Sequence, residues 1–208
     1  VRQRVRPDMN ERGPGVNITS SLDLDLQRLA ARILRGHLSA TASLGISDAA
    51  LVVIENSTGA IRVLACAGDA RRASINSAVE PRSCGSTLKP FLYLALIDQH
   101  KLTAASLLPD TPDAISETYR DYDPQNYSKR YFGPVRVREA LGNSLNVPAV
   151  FALSRNGARE TFDYLKTWGF RFPDSFDAYG AGFILGNAPV RLVELAGAYA
   201  ALARGGEY

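Results

Sequence analysis

Apolar residues recur along this chain with three kinds of spacing. Residues 18–27 alternate briefly, and the pattern then turns helical through Leu29, Ile33 and Leu34, which predicts a helix with Gly36 or Gly45 as its stop. Two β-branched runs, Ala49 to Asn56 and Ala60 to Cys66, flank Ser57-Thr58-Gly59 and predict a hairpin. An isolated hairpin is marginal in water, so this one implies a larger sheet. A third pattern is the nearly continuous run after Ser86, with Phe91, Leu92, Leu94, Leu96 and Ile97. It predicts a buried helix starting at Ser86, where Pro90 is tolerable because a first-turn residue has no intrahelical partner for its N–H.

Further on, Val147 to Asn156 and Ala158 to Gly169 read as helices separated by Gly157. Pro189 to Arg204 reads as another, with Pro189 in the first turn, Asn187 or Ala188 before it, a stripe of Leu192, Leu195, Ala196, Tyr199 and Leu202, and Gly205 as stop. Strand-like segments cluster before Ser86 and are scarce after it. The expectation is a mainly helical lobe plus a partial sheet built on the 49–66 hairpin, whose open edge must be covered by a partner, by the arm before Ile18 or by a neighbouring molecule.

Two stretches lack periodicity. Val1 to Val16 is arginine-rich and carries Gly-Pro-Gly, so residues 1–17 read as an arm or interdomain linker. After Lys101 comes a long stretch with Pro109, Pro112 and Pro124 and a tyrosine-rich segment, Tyr119 to Tyr127. A stretch of that length is usually functional or mobile. Lining of a cleft is the preferred reading, with packing over the helical lobe as the alternative.

Composition narrows the classes. The 24 basic and 21 acidic residues nearly balance and are dispersed, with no basic block, which argues against a nucleic-acid binder. No apolar run approaches the roughly 18 residues of a membrane span and no signal peptide is present, while a Val at position 1 suggests a chain cut from something longer. Cys66 and Cys84 match no zinc spacing and no Cys-x-x-Cys motif, and a bridge or two free thiols both remain open. Gly180 to Gly186 misses the dinucleotide fingerprint by one position, so no cofactor role follows from it.

Chemistry concentrates at two places. A helix starting at Ser86 places Lys89 three residues on, on the same face. A serine is a weak nucleophile until a base takes its proton, and a lysine can be that base once burial lowers its pKa, a setting that the following apolar residues provide. Ser144-Leu145-Asn146 falls on a turn between a short helical pattern and the helix that Pro148 opens.

Gly85-Ser86-Thr87-Leu88-Lys89-Pro90-Phe91, followed by Arg138-Glu139-Ala140-Leu141 and Ser144-Leu145-Asn146-Val147-Pro148-Ala149-Val150, resembles the transpeptidase domain of bifunctional class A penicillin-binding proteins. The Ser-Thr-Leu-Lys form most resembles the penicillin-binding protein 1C branch, and the likeness runs from about Ile18 to the end. It implies an α+β fold of the serine β-lactamase and DD-transpeptidase type, a helical lobe with an antiparallel sheet. Residues 18–208 would be the transpeptidase domain, truncated before the last strands of the sheet. Family enzymes carry three signatures, Ser-x-x-Lys, a serine-to-asparagine triplet and Lys-Thr-Gly on a strand. The first two match Ser86/Lys89 and Ser144/Asn146. None of the four lysines is followed by Thr-Gly or Ser-Gly, and Lys166-Thr167-Trp168-Gly169 sits in a helical pattern and reads as structural. Cys84 stands where the family usually has Pro, and Asn143 where Gln is usual.

The resemblance implies a peptidoglycan DD-transpeptidase. Ser86 would attack the carbonyl of a stem peptide ending in D-Ala-D-Ala, with Lys89 as base, Ser144 as proton relay and Asn146 holding Lys89 and the substrate. β-Lactams would be covalent inhibitors, no metal or cofactor would be needed, and the partners would be a glycosyltransferase domain and a membrane anchor at the periplasmic face of the bacterial inner membrane. Without the Lys-Thr-Gly strand, and the oxyanion-hole donor expected from it, residues 1–208 alone are expected to be nearly inert. A non-catalytic penicillin-binding-like module and a serine β-lactamase are the alternatives. The first would take no covalent penicillin, and the second would need a dedicated deacylation base.

Overall fold

The structure, a computed structural model, describes residues 19–68, 76–114 and 124–207. The arm expected over residues 1–17, and Tyr119 and Tyr122 of the tyrosine-rich segment, lie outside the described residues.

The hairpin forms as the pattern predicts. β1 (Asp48–Ile54) and β2 (Ile61–Gly68) pair antiparallel, with Leu51 opposite Ala65 and Val53 opposite Val63. Helix α1 (Leu24–Ala40) lies on it, started by Asp23, whose carboxylate accepts from the N–H groups of Asp25 and Leu26. α1 is capped by Thr41, so neither Gly36 nor Gly45 is its stop; Gly45, in the left-handed region, ends the short 3₁₀ turn that follows.

α1 is rotated away from the expected face. Ala30 and Leu34 are buried with Val63 and Ala65, whereas Leu29 and Ile33 are exposed. Hydrogen bonds set this phase. Gln27 donates through Nε2 to the Leu64 carbonyl at 2.8 Å and accepts the Leu64 N–H at 3.0 Å, and the Asp23 N–H bonds the Arg62 carbonyl. Side chain and backbone of residues 23–27 therefore occupy the outer edge of β2. The cover expected from a partner or from the arm comes instead from the start of α1.

The second lobe is built on α2 (Lys89–Asp98), which packs against α3 (Val137–Gly142), α4 (Asn146–Asn156) and α5 (Ala158–Thr167). Phe91, Leu92, Leu96, Leu153, Phe162 and Phe183 are fully buried in its core. A single turn, α6 (Phe176–Tyr179), sets Phe176 edge-on to Phe162. Phe91 makes edge contacts to Trp168, Phe170 and Tyr199 at 5.3–5.4 Å, the preferred aromatic geometry. These rings fix α2 against α7 (Leu192–Ala203), which reaches back to β1 and links the lobes.

Two details depart from the sequence pattern. Strands follow the buried helix after all: β4 (Leu107–Asp110) pairs antiparallel with β5 (Gly133–Arg136). Prolines at 109 and 134 face one another in this pair, tolerated because a two-stranded ribbon leaves one side of each strand unbonded. Pro189 does not open the last helix. It pairs with Ser83, as β6 (Pro189–Val190) against β3 (Arg82–Ser83), and the helix starts at Leu192.

Gly186 sits where this pair meets the turn before Ser86. Its φ is +103°, and a Cβ there would fall on the backbone of Gly85, well inside contact distance. Gly186→Ala should cost at least about 2 kcal/mol, from left-handed strain and a forced backbone shift. Thermal or denaturant melting checks it, and an unchanged midpoint would show that the Gly85 turn yields freely.

Among the described residues no helix is long and apolar enough to cross a membrane. Cys66 and Cys84 are both free, the first exposed and the second half-buried.

Candidate active site

The helix expected to begin at Ser86 begins with a 3₁₀ turn, Gly85–Leu88, and becomes α-helical at Lys89. In a 3₁₀ turn residues three apart eclipse, so Ser86 and Lys89 still share a face. Three anchors hold the turn. The Ser83 hydroxyl donates to the Gly186 carbonyl at 2.7 Å, the Thr87 hydroxyl to the Cys84 carbonyl at 2.9 Å, and the Tyr199 hydroxyl, from α7, to the Thr87 carbonyl at 3.0 Å. Pro90 lies in the first turn of α2, as its missing N–H requires.

Lys89 is 1% exposed. Its amine donates to the Ser144 carbonyl and to Asn146 Oδ1, both at 2.7 Å, and lies 3.4 Å from the Ser144 hydroxyl. The sequence-expected triplet thus meets the expected lysine across 55 and 57 residues of chain. Ser144 can present its carbonyl because it is left-handed, φ +53°, at the turn between α3 and α4.

Ser86 shares the Lys89 face of the turn without bonding to the Lys89 amine. The Ser86 hydroxyl is half-buried and makes no hydrogen bond to Lys89 or to any other described residue. The N–H groups of the amine go instead to the Ser144 carbonyl and the Asn146 amide oxygen.

Burial lowers the Lys89 amine from its ordinary 10.5 to about 8. A neutral amine has two N–H bonds and one lone pair. The two 2.7 Å acceptors use both N–H bonds, so the lone pair remains to take a proton.

Beside Ser144 opens a cavity of about 420 Å³, lined by Asn126, Tyr127, Phe132, Glu139 and Asn143 among others. Tyr127 is fully exposed at its mouth, so the part of the tyrosine-rich segment that is described lines a cleft. Glu139 accepts the Arg136 N–H at 2.9 Å and pairs with its guanidinium at 3.3 Å, which holds the start of α3. Lys166, of the Lys166-Thr167-Trp168-Gly169 near match, pairs with Asp163 at the end of α5, as a structural reading requires.

Sequence reasoning missed Asp110, Gln125 and Asn126, which meet the start of α4. The available signal was faint. An aspartate closes the apolar Leu107-Leu108-Pro109 run, and Gln125-Asn126 sits among the tyrosines with no period to mark it.

Residues 49–208 match the family model described as penicillin binding protein transpeptidase domain. Penicillin-binding protein 1A of Escherichia coli is 36% identical over 164 residues, 76% of this chain and 19% of that protein. Penicillin-binding protein 1C of the same organism is 33% identical over 200 residues, 91% of this chain and 24% of that protein. The chain therefore spans about a fifth to a quarter of these relatives. Among solved structures, the penicillin-binding protein PonA1 of Mycobacterium tuberculosis superposes with a TM-score of 0.75 at 24% identity, over 97% of this chain and 52% of that one. The two share one α+β architecture. With a matched family model over most of its length and a relative's domain reproduced in three dimensions, the chain belongs to the penicillin-binding protein transpeptidase domain family.

Proposed function

We propose that this chain carries the acyl-transfer site of a peptidoglycan DD-transpeptidase, with Ser86 as nucleophile. The observation that carries the reading is the buried Lys89 amine, depressed to about 8 and held by Ser144 and Asn146 so that its lone pair is free. Lys89 takes the Ser86 hydroxyl proton as Oγ bonds to the penultimate D-Ala carbonyl of a donor stem peptide. The peptide C–N bond then breaks, and the proton passes by way of Ser144 to the departing D-Ala amine. An amine of a second stem peptide attacks the acyl-enzyme, releases Ser86 and forms the crosslink. The Ser86 N–H, at the start of the 3₁₀ turn, is one donor to the tetrahedral oxyanion. The cavity beside Ser144 is the entry side for peptide. On this reading the protein works at the periplasmic face of the inner membrane, beside a glycosyltransferase domain, and β-lactams acylate Ser86.

A β-lactamase would need a base for deacylation. The carboxylate lining the cavity, Glu139, is tied by both oxygens to Arg136, which disfavours that alternative.

Incubating with penicillin a form of the protein extended through a Lys-Thr-Gly strand, and following its intact mass, tests the reading, residues 1–208 alone being expected to react orders of magnitude more slowly. A stoichiometric adduct that persists for many turnover times of a lactamase, mapped by peptide fragmentation to Ser86, is expected. No adduct would favour a non-catalytic module, and a rapidly lost one a β-lactamase.

A further inference from the structure

Asp110, at the end of β4, is 0% exposed, and among the described residues no basic side chain pairs with it. Burying a carboxylate without a cation is costly, and an apolar residue there would add more stability. Its two oxygens have definite work. Oδ1 accepts from Asn126 Nδ2 at 2.7 Å and Oδ2 accepts the Phe132 N–H at 2.9 Å.

Asn126 is 4% exposed and fully bonded. Its Nδ2 donates to Asp110 and to the Arg130 carbonyl at 2.9 Å, and its Oδ1 accepts the N–H groups of Asn146 at 2.8 Å and Val147 at 3.4 Å. Leu145, which precedes α4, offers no capping side chain, so an asparagine 20 residues earlier caps the helix. Flipping this amide would set oxygen against the Asp110 carboxylate and nitrogen against two N–H donors. Asp110 therefore dictates which end of Asn126 faces α4.

The same stretch orients the next amide. Asn146 Nδ2 donates to the Gln125 carbonyl at 2.7 Å, which leaves Asn146 Oδ1 for the Lys89 amine at 2.7 Å. We propose that Asp110 and Asn126 are positioning residues for acyl transfer: as a locked pair they fix the start of α4 and the Asn146 amide, and through it hold the Lys89 amine in place. The inference rests on Lys89 being the base in the reading above.

Exchanging the pair separates orientation from packing. Asn126→Asp alone sets two carboxylates face to face, and Asp110→Asn alone must aim an NH₂ group at Asn126 or at the Phe132 N–H. In the double exchange the amide at 110 donates to the carboxylate at 126 and still accepts the Phe132 N–H, while the other oxygen at 126 accepts from Asn146 and Val147. Net charge is unchanged; the bond to the Arg130 carbonyl is lost and an oxygen at 126 faces that carbonyl, a penalty that Asn126→Asp alone shares.

Acylation by penicillin of the form extended through a Lys-Thr-Gly strand, unsubstituted and with each of the three variants, is followed by intact mass across drug concentrations, alongside thermal melting. Each single variant should lose about 10² in the first-order acylation constant, the scale of an ångström misplacement, with the constant for initial binding changed little. The exchange should recover most of the lost rate. Single variants that acylate at the native rate would overturn the proposal. So would an exchange no better than the singles, whether it folds and stays slow or fails to fold. An unsubstituted extended form that takes no adduct removes the transpeptidase reading itself, and this inference with it.

Discussion

In the form extended through a Lys-Thr-Gly strand, Ser86→Ala is expected to eliminate covalent capture of penicillin completely and to leave stability almost untouched. The second half of that expectation comes from the structure. The Ser86 hydroxyl is half-buried and bonds to no described residue, while the turn around it is held by Ser83, Thr87 and Tyr199. Removing one unbonded oxygen from such a place belongs with changes worth within about 0.5 kcal/mol. The first half follows from the reading of Ser86 as the nucleophile, since the other hydroxyl of its 3₁₀ turn, Thr87, is tied to the Cys84 carbonyl. Intact mass and a thermal melt of the variant check both together. A persistent adduct would transfer the nucleophile's role to another residue, and a large loss of stability would mean that the hydroxyl has a structural partner.

Lys89→Met is expected to slow acylation by about 10²–10⁴, the range of a lost general base. Methionine matches the length and apolar stem of lysine, so the core around Phe91 and Leu92 is disturbed little. The pH dependence identifies the mechanism. The base is the neutral amine, and burial brings its pKa down to about 8. In the native protein the acylation rate should therefore rise about tenfold per pH unit below that value and level off above it. The methionine variant should lose this rise along with the rate. Stopped-flow acylation between pH 6 and 9 reads the outcome. A native profile flat over that interval would remove Lys89 as the base, and a variant that keeps the slope would place the titrating group elsewhere.

Residues close in sequence were the legible ones. The 88–97 run announced a buried helix because nearly every position is apolar, and the three-residue step from Ser86 to Lys89 survives the change from α to 3₁₀. The hairpin was legible because its strands and turn are contiguous. Asn146 and Ser144 could be named as candidates, but no local pattern states that their oxygens meet Lys89. Asp110 and Asn126 were not legible, since their role appears only when β4 and β5 close and bring residue 126 onto the start of α4. Nor was the full phase of α1: of the expected stripe only Leu34 is buried, and Ala30 takes the place of Leu29 and Ile33. A small-residue strand face and one glutamine decided otherwise.

That glutamine gives the hairpin an unusual reporter. The Leu64 amide hydrogen is bonded to no strand: it is held by a side chain that belongs to a helix 37 residues earlier. Isotope exchange at this amide is therefore a clock for the undocking of α1, independent of any separation of β1 from β2, whereas neighbouring amides turned toward β1 report the ladder. If helix and hairpin open as one cooperative unit, the two sets exchange with the same free energy. If α1 lifts away first, Leu64 alone exchanges early, and the order of disassembly of this lobe becomes readable at a single position.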